Sequence, residues 1–241
     1  MIVIPFGGIS NRLKCIISAI AEYGDITLRW DVPNSGGGVR CQFSDLFTNT
    51  FNSTSNRTIS DCKFIHDYMN THNPTDNNKE DVDVEMQKKY IDIINDLNPV
   101  QYVQDEVKRL HNELPSDYTT VSVRTFRSFP QEYKSWGQYF DINLLFTELD
   151  TIDSSFLLTC DDTDTLHLIK GRYGDKVITT PKRTKFGDFQ SVVGMQDILI
   201  DLILGGMAKK IYGTGLSSFS EMQWWMGKCT AKYKQMKLHV K

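Results

Sequence analysis

The sequence predicts an α/β protein made of two doubly wound units, and three observations carry that prediction. The chain opens as a short β-rich run, a glycine pair, an amphipathic stretch and a second β-rich run. After Pro115-Ser116-Asp117 the alternation of strand and helix patterns returns and continues to the end of the chain. The length of 241 residues, with 40% hydrophobic and 24% charged residues, suffices for one large globular domain or two small ones.

"MIVIPF" reads as the first strand and is stopped by Gly7-Gly8. In "SNRLKCIISAIAEYG", Leu13, Ile16, Ile17, Ile20 and Ala21 recur at the spacing of one helix face, and Gly24 closes the helix. "ITLRW" reads as a second strand. The stretches "NSGGG" at 34–38 and "HNPTDNNKEDVD" at 72–83 read as surface connections, the second of them mobile. Two helical patterns follow between residues 84 and 114, the second started by Asn98-Pro99. Beyond Pro115 the strands "TVSVR", "SFLLT", "KVITT" and "KIYG" alternate with the helices "INLLFTEL", "TLHLIKGRYG", "GMQDILIDLILGGM" and "SFSEMQWWMG". The expected units are therefore 1–115 and 116–241. Open sheets of this kind hold ligands at the carboxyl ends of their strands, so a nucleotide-type ligand is expected in the cleft between the two.

Composition removes several function classes. A formal net charge of −3 speaks against a nucleic-acid or membrane-surface binder. The opening run has no basic flank and is too short for a secretory signal, so a cytoplasmic protein is expected. The longest apolar stretch is interrupted by Asp201 and two lysines, which predicts no membrane span. Cys15, Cys41, Cys62, Cys160 and Cys229 are scattered and form no CxxC, the pattern of reduced thiols. Two glycosylation sequons, at Asn52 and Asn56, read as a polar loop. His66, His72, His111, His167 and His239 show no metal-ligand spacing. Trp224 and Trp225 fall in a helical pattern and read as packing residues.

Four strand ends carry the residues with chemical potential. In "FGGISNR", Gly7 and Gly8 let the backbone approach a ligand and the following helix N-terminus favours an anion, with Asn11 and Arg12 as added donors; a plain strand-to-helix turn needs the same glycines. In "VSVRTFRSFPQE", Arg124 ends an apolar strand, where an arginine can grip a phosphate bidentately, and Glu132 can serve as a general base; the alternative is a surface arginine and a solvated glutamate. In "LLTCDDTD", Asp161 and Asp162 can accept from a nucleoside. Asp162 and Asp164 have the spacing of a divalent-metal pair, and either can simply cap the next helix. In "YGTGLSSFSE", the turn and hydroxyls at a helix N-terminus suit a diphosphate, while Ser217 or Ser218 can equally be an N-cap.

Taken in order, these segments resemble the fucosyltransferases related to the nodulation and core α-1,6 enzymes and to the protein O-fucosyltransferases. "GGISNRLKCIISAIA" is similar to their Gly-x-x-Asn-Arg opening, "VSVRTFR" to their His-x-Arg-Arg strand, "FLLTCDDTD" to their Thr-Asp-Asp segment, and "YGTGLSSFSEMQWWMG" to their Ser-Ser-Phe-Ser close. The match reaches both halves of the chain and leaves out roughly 48–115. The resemblance implies a GT-B-like architecture, two Rossmann-like domains facing a cleft. The N-terminal domain faces the acceptor and the C-terminal one holds the nucleotide sugar.

It further implies an inverting glycosyltransferase that needs no metal or other cofactor. Such an enzyme transfers a sugar from a GDP-sugar, GDP-fucose foremost, to a hydroxyl of a glycan or glycoconjugate. On this resemblance Arg124 grips the β-phosphate and Glu132 lies where the core α-1,6 enzymes place a proposed base. Asp161 and Asp162 stand at the nucleoside, and Ser217, Ser218 and Phe219 at the diphosphate. Gly7, Gly8, Asn11 and Arg12 stand at the cleft side of the first unit. The family's motif histidine is Ser122 here and its second arginine is Thr125, which leaves base choice open. The short chain fits a bacterial or viral enzyme. Two rivals remain: a transferase using another nucleotide sugar, with a metal on Asp162 and Asp164, and a non-catalytic nucleotide-sugar-binding protein.

Overall fold

A computed structural model describes residues 1–32, 38–54, 57–59, 83–128, 130–185, 191–215 and 217–240. The expected connections at 34–37 and 72–82, and with them Cys62, His66, His72 and Asn56, lie outside the described residues.

The first sheet is small and parallel. Strand β1 (Ile2–Val3) lies between β2 (Thr27–Leu28) and β3 (Thr58–Ile59). Helix α1 (Ile9–Tyr23) connects β1 to β2 and ends at Gly24, whose φ of 72° is the left-handed geometry expected of a glycine stop. Its apolar face, Leu13, Ile16 and Ile17, is fully buried. The expected two helices are α2 (Val84–Asp96) and α3 (Gln101–Glu113). The Asp83 carboxylate caps α2 by accepting from Glu85 N and Met86 N. Pro99 precedes α3 by two residues instead of entering it.

The second sheet is parallel throughout, in the order β6-β5-β4-β7-β8. Its strands are β4 (Thr119–Val123), β5 (Phe156–Cys160), β6 (Val177–Ile178), β7 (Lys210–Thr214) and β8 (Lys232–Met236). The connecting helices are α4 (Pro130–Ser135), α5 (Ile142–Leu149), α6 (Thr163–Tyr173), α7 (Val192–Gly206) and α8 (Ser218–Met226). The sequence reading missed β3, β8 and α4. In β8, "KYKQM" sets two exposed lysines on an edge strand, a pattern with little apolar content.

Alternation divides the strand side chains between two cores. Phe156 and Leu158 of β5, with Val121 and Val123 of β4, pack against α5 and α6. Leu157 and Ile211 face the other way, into a cluster that contains α1, α2, α3, α7 and α8 together. The two sheets therefore share one apolar layer. Helix α3 packs on α7, and α2 packs on both α1 and α8. Trp224 and Trp225 are buried in this layer, Trp225 edge-on to Tyr90 of α2 at 5.5 Å. Helices α7 and α8 touch at their backbones, since a methyl group on Gly227 would overlap the Gly206 carbonyl.

Within that layer lies an ion pair, Lys14 Nζ to Glu221 Oε2 at 2.5 Å, with side chains only 1% and 6% exposed. It ties α1 to α8. Truncating one partner leaves a buried charge, so Lys14→Met should lower the unfolding free energy by about 3–5 kcal/mol. Replacing both, Lys14→Met with Glu221→Leu, should recover most of that loss. Denaturant titrations of the three proteins measure both; an unchanged midpoint in the single variant would show that the pair bears no load.

Candidate functional site

Strand order determines where the site lies. The order in which strands are added to the second sheet reverses between β4 and β7, and the crevice at such a switch point opens at the carboxyl ends of these strands. Arg124 leaves β4 there, Gly215 follows the end of β7, and Ser217 and Ser218 begin α8. Facing them, β1 runs into Gly7-Gly8 and the first turn of α1. Gly7 has φ +81° and an added Cβ would meet Asn11 Nδ2 at 3.1 Å, so the turn requires glycine. These walls enclose a cavity of about 740 Å³.

Most of the residues singled out in the sequence line this cavity. Gly7, Gly8 and Asn11 form one wall; Arg124, Glu132 and Asp161 form another; Ser217, Ser218 and Phe219 form a third. Arg12 and Asp162 stand behind the walls. Arg12 is buried, donates through Nε to Gly7 O at 3.1 Å and through Nη1 to Asp31 O at 2.9 Å, and stacks over Trp30. It braces the glycine turn. Asp162 caps α6, its Oδ2 accepting from Thr165 N at 2.9 Å and Thr165 Oγ1 at 2.5 Å.

Arg124 is the one basic side chain lining the cavity among the described residues. Its Nη1 donates to Asp161 Oδ2 at 3.0 Å and its Nη2 to Glu132 Oε2 at 2.5 Å. Its backbone N–H donates to Thr214 Oγ1, which in turn donates to Ser122 O, both at 2.9 Å. Asp161 organises the turn after β4. Oδ1 accepts from Thr125 N at 2.7 Å and Thr125 Oγ1 at 2.9 Å, and Oδ2 accepts from Phe126 N at 3.1 Å as well as from the guanidinium. These bonds hold Phe126 at φ +58°, a strained value for an aromatic residue. The His239 ring supports the turn from below, 5.3 Å from the Phe126 ring, and burial lowers its pKa.

The serines of "GLSSFS" divide into two kinds. Ser220 is buried and its hydroxyl donates to Ser217 O at 3.1 Å. Ser217 occupies the N-cap position of α8 yet makes no side-chain capping bond, and Ser218 follows it in the cavity wall. The first turns of both α1 and α8 thus border the cavity and bring the positive ends of two helix dipoles to it.

Helix α7 supplies residues that the sequence reading passed over. Asp201 reaches the cavity, accepting from Lys182 Nζ at 2.6 Å and from the Thr180 hydroxyl. One turn earlier Asp197 accepts from Arg183 Nε at 2.8 Å. The signal was present, because two aspartates four apart interrupt a largely apolar helix. A second cavity of about 360 Å³ adjoins the first, sharing Asp161, Ile198 and Asp201 and bordered by Lys170, Lys182 and Lys185. Cys160 borders both cavities; burial and then the Asp161 charge push its thiol pKa up, which keeps it protonated. Among the described residues no three His, Cys, Asp or Glu side chains cluster closely enough to hold a metal ion.

No family model matches the chain, and no curated protein matches it. Solved structures do. The fucosyltransferase NodZ from Bradyrhizobium is similar at 14% identity and a TM-score of 0.54, over 92% of each chain. NodZ α-1,6-fucosyltransferase co-crystallised with GDP is similar at 13% identity and a TM-score of 0.55, over 92% of this chain and 91% of that one. FUT1 of Arabidopsis thaliana in complex with GDP is similar at 12% identity and a TM-score of 0.52, over 97% of this chain and 69% of that one. The fold of this chain is thus the fold of fucosyltransferases, reached with few shared residues.

The Asp161 carboxylate has donors on both oxygens, so an amide in its place sets an N–H₂ group against N–H donors whichever way it turns. A lost bond to a charged group costs about 1.5–3 kcal/mol. Asp161→Asn should therefore lower stability by at least about 1.5 kcal/mol in denaturant titration, and an unchanged midpoint would show that the turn holds itself.

Proposed function

We propose that the chain is a glycosyltransferase of the fucosyltransferase type that takes a GDP-sugar, GDP-fucose foremost. It transfers the sugar to a hydroxyl of a glycan or glycoconjugate with inversion and without a metal. The observation that carries the reading is the placement of Arg124 between two helix N-termini and the Ser217–Ser218 hydroxyls, a donor set suited to a diphosphate. The likeness in fold to fucosyltransferases, NodZ solved with GDP and with GDP-fucose and FUT1 with GDP, supports it. In this reading residues 1–115 form the acceptor-side domain and 116–241 the nucleotide-sugar domain of a GT-B-like pair acting in the cytoplasm. No helix among the described residues is long and apolar enough to cross a membrane.

Arg124, the first-turn N–H groups of α8 and the hydroxyls of Ser217 and Ser218 receive the diphosphate and stabilise the charge that grows on it as it leaves. Phe219 lines the cavity beside them. Asp161 acts through the turn that aims Arg124, and Asp162 through the helix it caps. Gly7, Gly8 and Asn11 face the donor from the first domain, with Arg12 holding their turn. Glu132 takes the acceptor proton as the new bond forms.

A second reading has its own support. Ser122 stands where the related enzymes carry a histidine, and it lines the cavity. A protein that binds the nucleotide sugar without turning it over would tolerate that loss. Release of GDP from GDP-fucose over a panel of glycan acceptors separates the two readings.

In a thermal-shift screen of GDP, UDP, ADP and TDP, run in EDTA, GDP should protect most. Saturation at 100 times Kd adds about 2.7 kcal/mol of stability. Protection by UDP with none by GDP would overturn the GDP-sugar reading, and protection that vanishes in EDTA would overturn metal independence. Arg124→Ala should weaken GDP binding at least about tenfold, the equivalent of a lost charge-assisted bond. Wild-type affinity in that variant would remove Arg124 from the site.

A further inference from the structure

Both N–H₂ groups of Arg124 already hold carboxylates. A guanidinium flanked by two negative charges is a poor receptor for a third anion, so something must give way when a diphosphate arrives. The two carboxylates are not equivalent. Asp161 is 9% exposed and takes four donors, three of them from the Thr125–Phe126 turn. Glu132 is 37% exposed, sits on the six-residue helix α4, and has Arg124 as its one side-chain partner among the described residues. Rotating Glu132 away breaks one bond and leaves a carboxylate that water can solvate. Moving Asp161 would break four and unmake the turn.

Stereochemistry makes the same demand. In an inverting displacement the acceptor oxygen attacks the face of the sugar opposite the departing diphosphate, and the base must stand on that face. Bound to Arg124, Glu132 stands on the leaving-group side. We propose that Glu132 is a displaceable counter-ion of Arg124. The incoming diphosphate replaces it on Nη2, and the released carboxylate swings to the acceptor side, so that the donor itself frees the base. The pair keeps the guanidinium extended toward the cavity while the site is empty. It also imposes an order, donor before acceptor, because without donor the carboxylate remains tied to Arg124. The inference rests on the diphosphate reading of the site.

Calorimetric titration of GDP into the wild type, Glu132→Gln and Glu132→Ala tests it. A counter-ion competes with the ligand, so both variants should bind GDP about three- to tenfold more tightly than the wild type. A residue that merely orients Arg124 for the phosphate would act in the opposite sense, because its loss lets the guanidinium wander. Unchanged or weaker GDP binding in both variants therefore overturns the proposal and leaves the GDP-sugar reading standing. Absence of GDP binding by the wild type overturns that reading, and this proposal with it. Glu132 is partly exposed on a short helix with no buried member, so both variants should keep the wild-type melting temperature without ligand, and the comparison reads affinity alone.

Discussion

The buried Lys14–Glu221 pair is the constraint around which the two halves of the molecule are set. Lys14 lies in the second turn of α1 and Glu221 in the first turn of α8, and each helix has its N-terminus at the large cavity. Two charges removed from water lose solvation worth several kcal/mol each, and recover it only when they meet at close range. The pair therefore tolerates little sliding of one helix along the other. Apolar packing around it is less exacting, since Leu13, Ile16 and Trp225 would accept small shifts at small cost. A non-directional core brings α1 and α8 together, and a directional pair selects the register in which both first turns border one cavity.

A second level of order depends on Asp161. One carboxylate folds the backbone of Thr125 and Phe126 around itself and holds Phe126 at a positive φ. The same oxygens aim Arg124. The turn is preorganised, and its strain is offset by bonds made at the end of the fully buried strand β4. The flanking elements are less constrained. Glu132 sits on a helix of six residues with no buried member. A rigid carboxylate and a loosely held one thus share a single arginine, and that asymmetry allows the site to exchange an internal anion for an external one.

The opening of the chain and its close play matching parts. Gly7-Gly8 lie between β1 and α1, and Gly215 and Ser217 lie between β7 and α8, both beside the cavity. In both, the polar side chains nearest the turn stabilise the backbone from behind: Arg12 grips Gly7 O, and Ser220 grips Ser217 O. Ser217 and Ser218 line the cavity, and Ser217 makes no side-chain capping bond. A helix that needed its N-cap serine for stability would have spent that hydroxyl on its own N–H groups. Helix α8 is instead held by its buried face against α7 and by Glu221, which leaves the cap position open to a ligand.

Periodicity and turn residues are local properties, and the sequence alone was enough for what they encode. The strand–glycine–helix opening, the two helices from residue 84 on, and strands β4, β5 and β7 were legible because each is written in contiguous residues at a spacing of two or 3.6. Strand β8 and helix α4 were not legible, since an edge strand of lysines and a six-residue helix bury too little apolar surface to leave a pattern. The roles within the site lay further out of reach. Nothing in "CDD" says that Asp161 turns inward to four donors while Asp162 caps a helix. Nothing near Lys14 points to Glu221, 207 residues away. Asp201 reads as an interruption of an apolar helix until the sheet order brings α7 beneath the strand ends. Charge partners are chosen by proximity in space, and proximity is decided only when the sheets and helices close on one another. The sequence determined which elements exist and where their turns fall; the tertiary structure alone decided which carboxylate each cation meets.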